Sequence, residues 1–539
     1  MKLRSILLIL FCIGGVCAFT YCRVSKKSAP FYPVVEEKSF IIIIPSYNNA
    51  LHVEKNLRSV FSQHYHNYKV IYIDDGSNDA TLSRVDTLLE QLDAKSKTTL
   101  VSHPTHEGTL ASLYTEIHKC KDQDIIIWLR GDDFFAHEQV LTHLNQVYAS
   151  PQVWLTLGGG LTYPDYRLPW EETLPVSRKK THSLPPLPTF YASLFKEIEL
   201  KSLFFRGHFF QEAIDQVVLF PLLEMAKDHA ELLKQPLCLR IESEPFHPHQ
   251  SILCAEAVQR APQYAPLKEL PRHIPSSKKA DLVIFSKDNP LQLATLLTSI
   301  DRHMVGLNKI TVLYQASDSD YEQGYQKLKW ESPNTLFVDQ KEKKFAPLCK
   351  KLLFQNPLES PYILLAKDNL VLTEQINLSE GIDLVEQTGA YGLFYAHHLE
   401  LSYSADLSRY QPLPLSTSLQ TTHAWQFKEG RDDWNSPASL RLSLYRKKDL
   451  KAALWQSEME NPNEMISNWH QNSPADAVGL FYPSAKCIEL KLSTKNCTKS
   501  LLLERFKAGW EIDPGHFANL QLPSHQLQAD LEMVGHLKK

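Results

Sequence analysis

The sequence predicts two tandem α/β domains, each built on a mainly parallel sheet, behind an N-terminal apolar segment. At 539 residues the chain is too long for one ordinary core and suits two domains of roughly 200 to 250 residues each. Apolar, β-branched runs alternate with helical patterns in both halves. A break rich in proline and basic residues, 260–279, separates the first series of such units from the second.

Hydrophobic residues at 43% and charged residues at 22% are the composition of a packed globular chain. A formal net charge of −4, without a block of like charges, excludes a basic stripe, so nucleic acid is not an expected partner. The nine cysteines contain no CxxC pair, which argues against a zinc site. Cys487 and Cys497 read as two free thiols.

Lys2 and Arg4 precede an apolar run from Ile6 to about Tyr21, and Arg23, Lys26 and Lys27 follow it. That is a membrane signal. The absence of an A-x-A site favours an uncleaved anchor over a cleaved signal peptide, and basic residues on both sides leave orientation open. Residues 1–37 are therefore read as anchor and linker, 38–259 as the first domain, 260–279 as linker and 280–539 as the second domain.

Each element follows from its pattern. Ser39–Pro45 is an apolar run suited to a buried parallel strand. Leu51, Val53, Leu57, Val60 and Phe61 share one helical face, and Tyr68–Ile73 is a second buried strand. A helix over 80–92, a strand near 99–102, a helix over 109–119 and a strand over 124–129 continue the alternation. The Pro-rich stretch 164–188 is expected to be a mobile connection over the active face, followed by a helical stretch over 190–233. After the break, strands at 280–285, 309–314 and 362–365, with helices at 291–300 and 321–330, repeat the order of the first half.

In such a sheet the ligand sits beyond the carboxyl ends of the strands, so the polar residues there are read for chemistry. Pro45-Ser46-Tyr47-Asn48, Asp74-Asp75-Gly76-Ser77 and Arg130-Gly131-Asp132-Asp133 follow three strands of the first half. Carboxylates can accept from a base or ribose edge, or hold a cation on a diphosphate. Each cluster alone is an ordinary turn.

Together they are specific. Ile43-Ile44-Pro45-Ser46-Tyr47-Asn48, then Val70 to Asp79, with Arg130-Gly131-Asp132-Asp133 where a DxD motif stands, resemble the family-2 glycosyltransferases of GT-A fold. The likeness extends over roughly 38–250, through Val153-Trp154-Leu155-Thr156 and the run from Asp215 to Met225. It implies a nucleotide-sugar donor, a glycan or lipid-linked acceptor, and inverting transfer assisted by Mg²⁺ or Mn²⁺. It further implies donor contacts from Pro45, Tyr47, Asn48, Asp74, Asp75 and Asp133, with Asp75 on the base or ribose. Asp132 would bind the metal and Asp215 would be the catalytic base. Displacement of a nucleoside diphosphate builds charge on the leaving group, while the acceptor hydroxyl must lose a proton to a carboxylate.

Arg130 replaces the first DxD carboxylate, which places a positive charge beside the diphosphate. His106-Glu107-Gly108 stands where the family has Asn-x-Gly. The second half resembles another GT-A-like group at Val283 to Leu293, Ile310 to Tyr314 and Asp433-Trp434. Lys367-Asp368-Asn369 takes the place of its paired aspartates, so Asp368 and Asn369 are the candidate second site. That half is either a second transferase or a degenerate domain that binds acceptor or shapes an assembly. A wholly non-enzymatic, membrane-anchored glycan-binding or scaffold protein stays open as the alternative. The resemblance implies a cytoplasm-facing catalytic domain in a bacterium and a Golgi-lumenal one in a eukaryote.

The remaining motifs read as structural. His64-Tyr65-His66, His247-Pro248-His249 and His397-His398 are expected as surface or helix-end histidines, and Gly158-Gly159-Gly160 as a strand-end loop. Asn377 and Asn496 sit in glycosylation-type triplets that matter only in a eukaryotic secretory lumen.

Overall fold

The computed structural model describes residues 36–106, 108–167, 174, 178, 184–241, 248–272, 278–341, 344–354, 360–404, 408–493, 498–520, 522–530 and 534–537. The N-terminal apolar run, Glu107, His247, Asn496 and Cys497 lie outside them. Among the described residues no helix is long and apolar enough to cross a membrane.

The first sheet is built from β1 (Phe40–Ser46), β2 (Tyr68–Asp74), β3 (Thr98–Ser102), β4 (Ile125–Trp128), β5 (Phe134–Phe135), β6 (Leu155–Tyr163) and β7 (Thr189–Tyr191). After a separate small hairpin of β8 (Phe204–Phe205) and β9 (His208–Phe209), β10 (Ala230–Ile241) completes it. The order is β3-β2-β1-β4-β7-β6-β10-β5. Strands β3, β2, β1 and β4 are parallel, β7 runs antiparallel to both its neighbours, and β10 is again parallel to β6.

Why β1 is apolar on both faces follows from its packing. Phe40, Ile42 and Ile44 share a core with Val53, Leu57 and Val60 of helix Val53–Phe61, whereas Ile41 and Ile43 face Leu110, Leu113 and Ile117 of helix Thr109–Lys119. A sheet covered by helices on both sides needs continuous, not alternating, hydrophobicity. Each buried Ile contributes roughly 1.5–3 kcal/mol. Since β4 joins β1 on the side away from β2, the strand order reverses between β1 and β4, and a crevice opens beyond their carboxyl ends.

The second sheet runs Thr335–Asp339, Leu307–Gln315, Ala280–Lys287, Tyr362–Lys367, Arg441–Arg446, Gly392–Phe394, Val478–Phe481, Thr422–Gln426 and Thr417–Leu419. Its first four strands are parallel and repeat the opening order of the first sheet. Among the described residues no strand is shared between the two sheets. The halves touch where the Tyr114 hydroxyl donates to the Thr388 carbonyl at 2.6 Å.

Several expectations are corrected. The stretch 190–233 is not continuously helical: helix Ile214–Ala226 is preceded by β7, a single helical turn and the β8–β9 hairpin, and Ala230 already begins β10. Strong apolarity without a clean helical period misled the pattern. Within 164–188, Pro164 to Arg167 are exposed, whereas Leu184 and Leu187 are buried and Arg178 is forked onto Glu224 at 2.7 and 2.6 Å. Gly158 to Gly160 lie inside β6, not in a loop. The backbone turns positive at Gly158 and Gly159, with φ of 98° and 66°, beside a register shift against β10. His64 and His66 are exposed as expected, but His397 and His398 are each 1% exposed in the second half.

Candidate active site

Three strand ends converge at the first crevice. Gly131 donates its N–H to the Pro45 carbonyl at 3.0 Å, and Asp75 donates to the Ser46 carbonyl at 2.9 Å. Asn48, at φ 51°, accepts from the Asn78 N–H at 2.9 Å and donates its own N–H to Ser77 Oγ at 2.9 Å, tying the loop after β1 to the loop after β2.

Asp75 is buried. One carboxylate oxygen lies 3.1 Å from His103 Nδ1; the other lies 3.0 Å from His106 Nδ1 and accepts the Gly108 N–H at 2.9 Å. The Asp75 side chain is 2% exposed, whereas that of His106 is 43% exposed and stacks on Tyr47, with ring centroids 4.2 Å apart. A planar group entering this corner meets the imidazoles and the tyrosine before it meets the carboxylate. Asp74 is also buried, with one carboxylate oxygen lacking a hydrogen-bond partner among the described residues. Gly76 makes the corner possible: at φ 73°, a Cβ there would fall 2.5 Å from the Thr105 carbonyl carbon and 2.7 Å from the His106 nitrogen. Gly76→Ala is expected to cost about 1–3 kcal/mol in the first half's stability, read by urea unfolding, because backbone cannot yield as a side-chain tip can.

The second corner is a charge cluster. Arg130 donates to both Asp132 oxygens, Nε to Oδ1 at 3.0 Å and Nη2 to Oδ2 at 2.7 Å. Asp133, buried, accepts the Ile241 N–H at 3.1 Å and lies 3.6 Å from Arg240 Nε. The Nη2 of Arg240 reaches Asp215 Oδ2 at 3.3 Å. Thus Asp132 and Asp133 share one cluster with the sequence-distant Asp215 through Arg130 and Arg240. Burial pushes the Asp133 carboxyl up to about 7, with the two arginines pulling the other way. For Arg130 burial opposes the charge, but Asp133, Asp132 and Asp215 outweigh it and hold the guanidinium firmly protonated. Asp215 stands on the first turn of helix Ile214–Ala226 with its side chain 40% exposed, so an incoming group can reach it.

Beside the cluster lies an aromatic wall. Phe134 follows Asp133 and meets Tyr163 at 5.4 Å between centroids, while Lys55 lies over the Tyr163 ring at 4.4 Å.

Sequence reading missed Arg240 and the two histidines on Asp75. Arg240 sits in a strand that pairs with distant segments, Arg240 itself with Thr162, 78 positions earlier, so only the tertiary fold brings it near Asp215. The histidines had a local signal, since they follow β3 at the same edge as the Asp74-Asp75 turn.

The implied divalent cation does not fit these residues. Both oxygens of Asp132 are engaged by Arg130, and among the described residues no group of three or more His, Cys, Asp or Glu is placed to hold a metal.

In the second half, Asp368 follows the strand Tyr362–Lys367 and accepts from Ser286 Oγ at 2.8 Å and the Lys287 N–H at 3.2 Å. Burial raises its carboxyl to about 6, against hydrogen bonds from Ser286, Asn289 and Lys287. The side-chain oxygens of Asn289 and Asn369 are buried without hydrogen-bond partners among the described residues. The crevice is thus polar, with Asp288 buried in the same loop and held by Ser317, which donates to it at 2.7 and 2.6 Å.

A family model described as glycosyl transferase family 2 matches residues 41–198. A curated relative from Haemophilus influenzae, described as an uncharacterized glycosyltransferase, is 31% identical over 104 residues, 19% of this chain and 40% of the relative's length. Among solved structures, S. aureus TarS 1-349 in complex with UDP is 16% identical with a TM-score of 0.33, over 41% of this chain and 64% of that one. The mannosyltransferase PcManGT from Pyrobaculum calidifontis, in complex with GDP-Man and Mn²⁺, is 18% identical with a TM-score of 0.30, over 38% of this chain and 57% of that one. The family match covers β1 through β7 and the residues that follow, including both corners of the crevice except Asp215 and Arg240. The N-terminal half of the chain therefore carries a family-2 glycosyltransferase domain of α/β fold.

Proposed function

We propose that the chain transfers a sugar from a nucleotide-diphosphate donor to a glycan or lipid-linked acceptor by inverting displacement in the first crevice. One arrangement carries the reading: Asp132, Asp133 and Asp215 meet Arg130 and Arg240 beyond the reversal of strand order, next to the loops after β1 and β2.

The donor lies along the strand ends. Its base enters the corner of Tyr47, His103 and His106, with Asp74 and Asp75 behind them; Asp75 acts by fixing the two imidazoles. Pro45 and Asn48 shape the loop that borders the ribose, and Asp133 holds Arg240 toward Asp215. The acceptor hydroxyl approaches Asp215, which takes its proton as the hydroxyl oxygen attacks the anomeric carbon; the bond to the diphosphate breaks on the opposite side, with oxocarbenium-like character between. No step passes through a divalent cation.

The N-terminal apolar run favours attachment to a membrane, where a lipid-linked acceptor would be met. The catalytic domain would then face the cytoplasm in a bacterium and the Golgi lumen in a eukaryote. Asp368 and Asn369 line a second crevice that binds acceptor or a further donor.

The test is release of nucleoside diphosphate from a panel of uridine and guanosine diphosphate sugars by the full chain, alongside calorimetry with each. One donor should bind and turn over, and His106→Ala should weaken it by roughly tenfold, the scale of one lost stacking contact. Binding and turnover by no donor would leave the anchored scaffold as the better description.

A further inference from the structure

We propose that Arg130 takes the place of a divalent cation on the donor's diphosphate, and that Asp132 is the positioning residue that holds its guanidinium. This rests on the donor reading above. The two parallel bonds between Arg130 and Asp132, at 3.0 and 2.7 Å, use both carboxylate oxygens. A cation on either oxygen would sit beside a permanent positive charge, and the two would repel. Arg240 stands against the other two carboxylates, 3.6 Å from Asp133 and 3.3 Å from Asp215, so each acid of the cluster already faces a guanidinium.

Mg²⁺ and Mn²⁺ ask for about six oxygen ligands in open reach. Here the reachable side chain is the cation: Arg130 is 32% exposed at its side chain, Asp132 only 14%. A guanidinium also suits the task, because its planar fork matches two phosphate oxygens and its charge is not lost on burial. Asp132 then fixes the plane of the fork, much as a buried carboxylate orients a catalytic histidine.

The two assignments predict opposite signs. If Asp132 is a metal ligand, Asp132→Asn weakens UDP or GDP binding and Mn²⁺ strengthens it. If Arg130 carries the diphosphate, Asp132→Asn leaves nucleotide affinity within about threefold or tightens it, since the guanidinium loses its neutralising partner. Calorimetry of the full chain with UDP and GDP, each in Mn²⁺ and in EDTA, is the experiment. Expected are affinities that agree within about threefold with and without Mn²⁺, a loss of tenfold or more in Arg130→Ala, and a smaller loss in Arg130→Lys, which keeps the charge and loses the fork. The Lys and Asn variants keep the test valid should the Ala variant misfold. A tenfold gain from Mn²⁺, or a tenfold loss in Asp132→Asn, overturns the proposal while leaving the donor reading intact. Binding of neither nucleotide under any condition removes the donor reading itself, and this proposal with it.

Discussion

Asp215→Asn is expected to leave nucleotide-donor affinity within about threefold of wild type while turnover falls by roughly 10² or more, the usual scale for a positioned base. The split follows from where the side chain stands. The Asp215 side chain is 40% exposed and accepts a 3.3 Å bond from Arg240, so the carboxylate faces an entering acceptor more than it holds the protein together. Asn keeps the volume and can still accept from Arg240, but cannot take a proton. The stability change should stay below about 1 kcal/mol, as for other substitutions away from a packed core. Donor affinity by calorimetry, steady-state transfer and a melting curve on the same sample separate the readings. Near wild-type turnover would move the chemistry elsewhere, first to the crevice around Asp368. Equal losses of affinity and turnover would instead make Asp215 a support for Arg240.

The parts of this site legible in the sequence are those that local physics fixes. A β-branched run covered on both faces announces β1, and the turn that follows must expose its polar residues at the carboxyl end, so Tyr47, Asn48, Asp74, Asp75 and Asp132 could be named from pattern and resemblance. Arg240 could not, because its strand is irregular: Lys234 to Leu237 interrupt the pairing with β6, which shifts register between Leu233 and Cys238. The reading of Asp132 as a metal ligand came from the resemblance; the fork from Arg130 two residues earlier is set by how the turn after β4 folds. His397 and His398 were misread for a different reason. A short pair of histidines after an apolar run has no period that tells buried from exposed, and only the fold buries both and packs His397 against Trp425 and Trp434.

That burial has the second large consequence, in the dependence of the second half's stability on pH. His397, His398 and His525 are each 1% exposed, and three of their ring nitrogens have no hydrogen-bond partner among the described residues. Burial lowers His397 to about 3, ahead of the opposing pull of Asp433, and lowers His398 to about 4. His525 lies well below its ordinary value, by burial first and then by Arg441. Unfolded, His397 and His398 take up their protons near pH 6.5; folded, they do so only near pH 3 and pH 4. Between those limits the unfolded chain binds more protons, so stability is fully present above about pH 6.5 and falls as pH falls, by up to about 1.4 kcal/mol per pH unit for each histidine. Asp368 opposes this. Its folded value of about 6 exceeds the ordinary 3.8, so the folded state holds that proton through the same window and gains about one histidine's worth on acidification. For His397 and His398 against Asp368 the balance is a loss of roughly 1.4 kcal/mol per pH unit between about pH 6 and pH 4, with His525 adding in the same direction, against a total of about 5–15 kcal/mol for a domain. Urea unfolding at pH 7, 6 and 5 should therefore show the second half's midpoint dropping steeply. In His398→Phe, which keeps the ring's volume and removes one titrating group, the slope should ease by about 1.4 kcal/mol per unit. Identical slopes in the two proteins, or a flat wild-type profile, would mean that the histidines meet water or a partner proton donor and are not held neutral by the core.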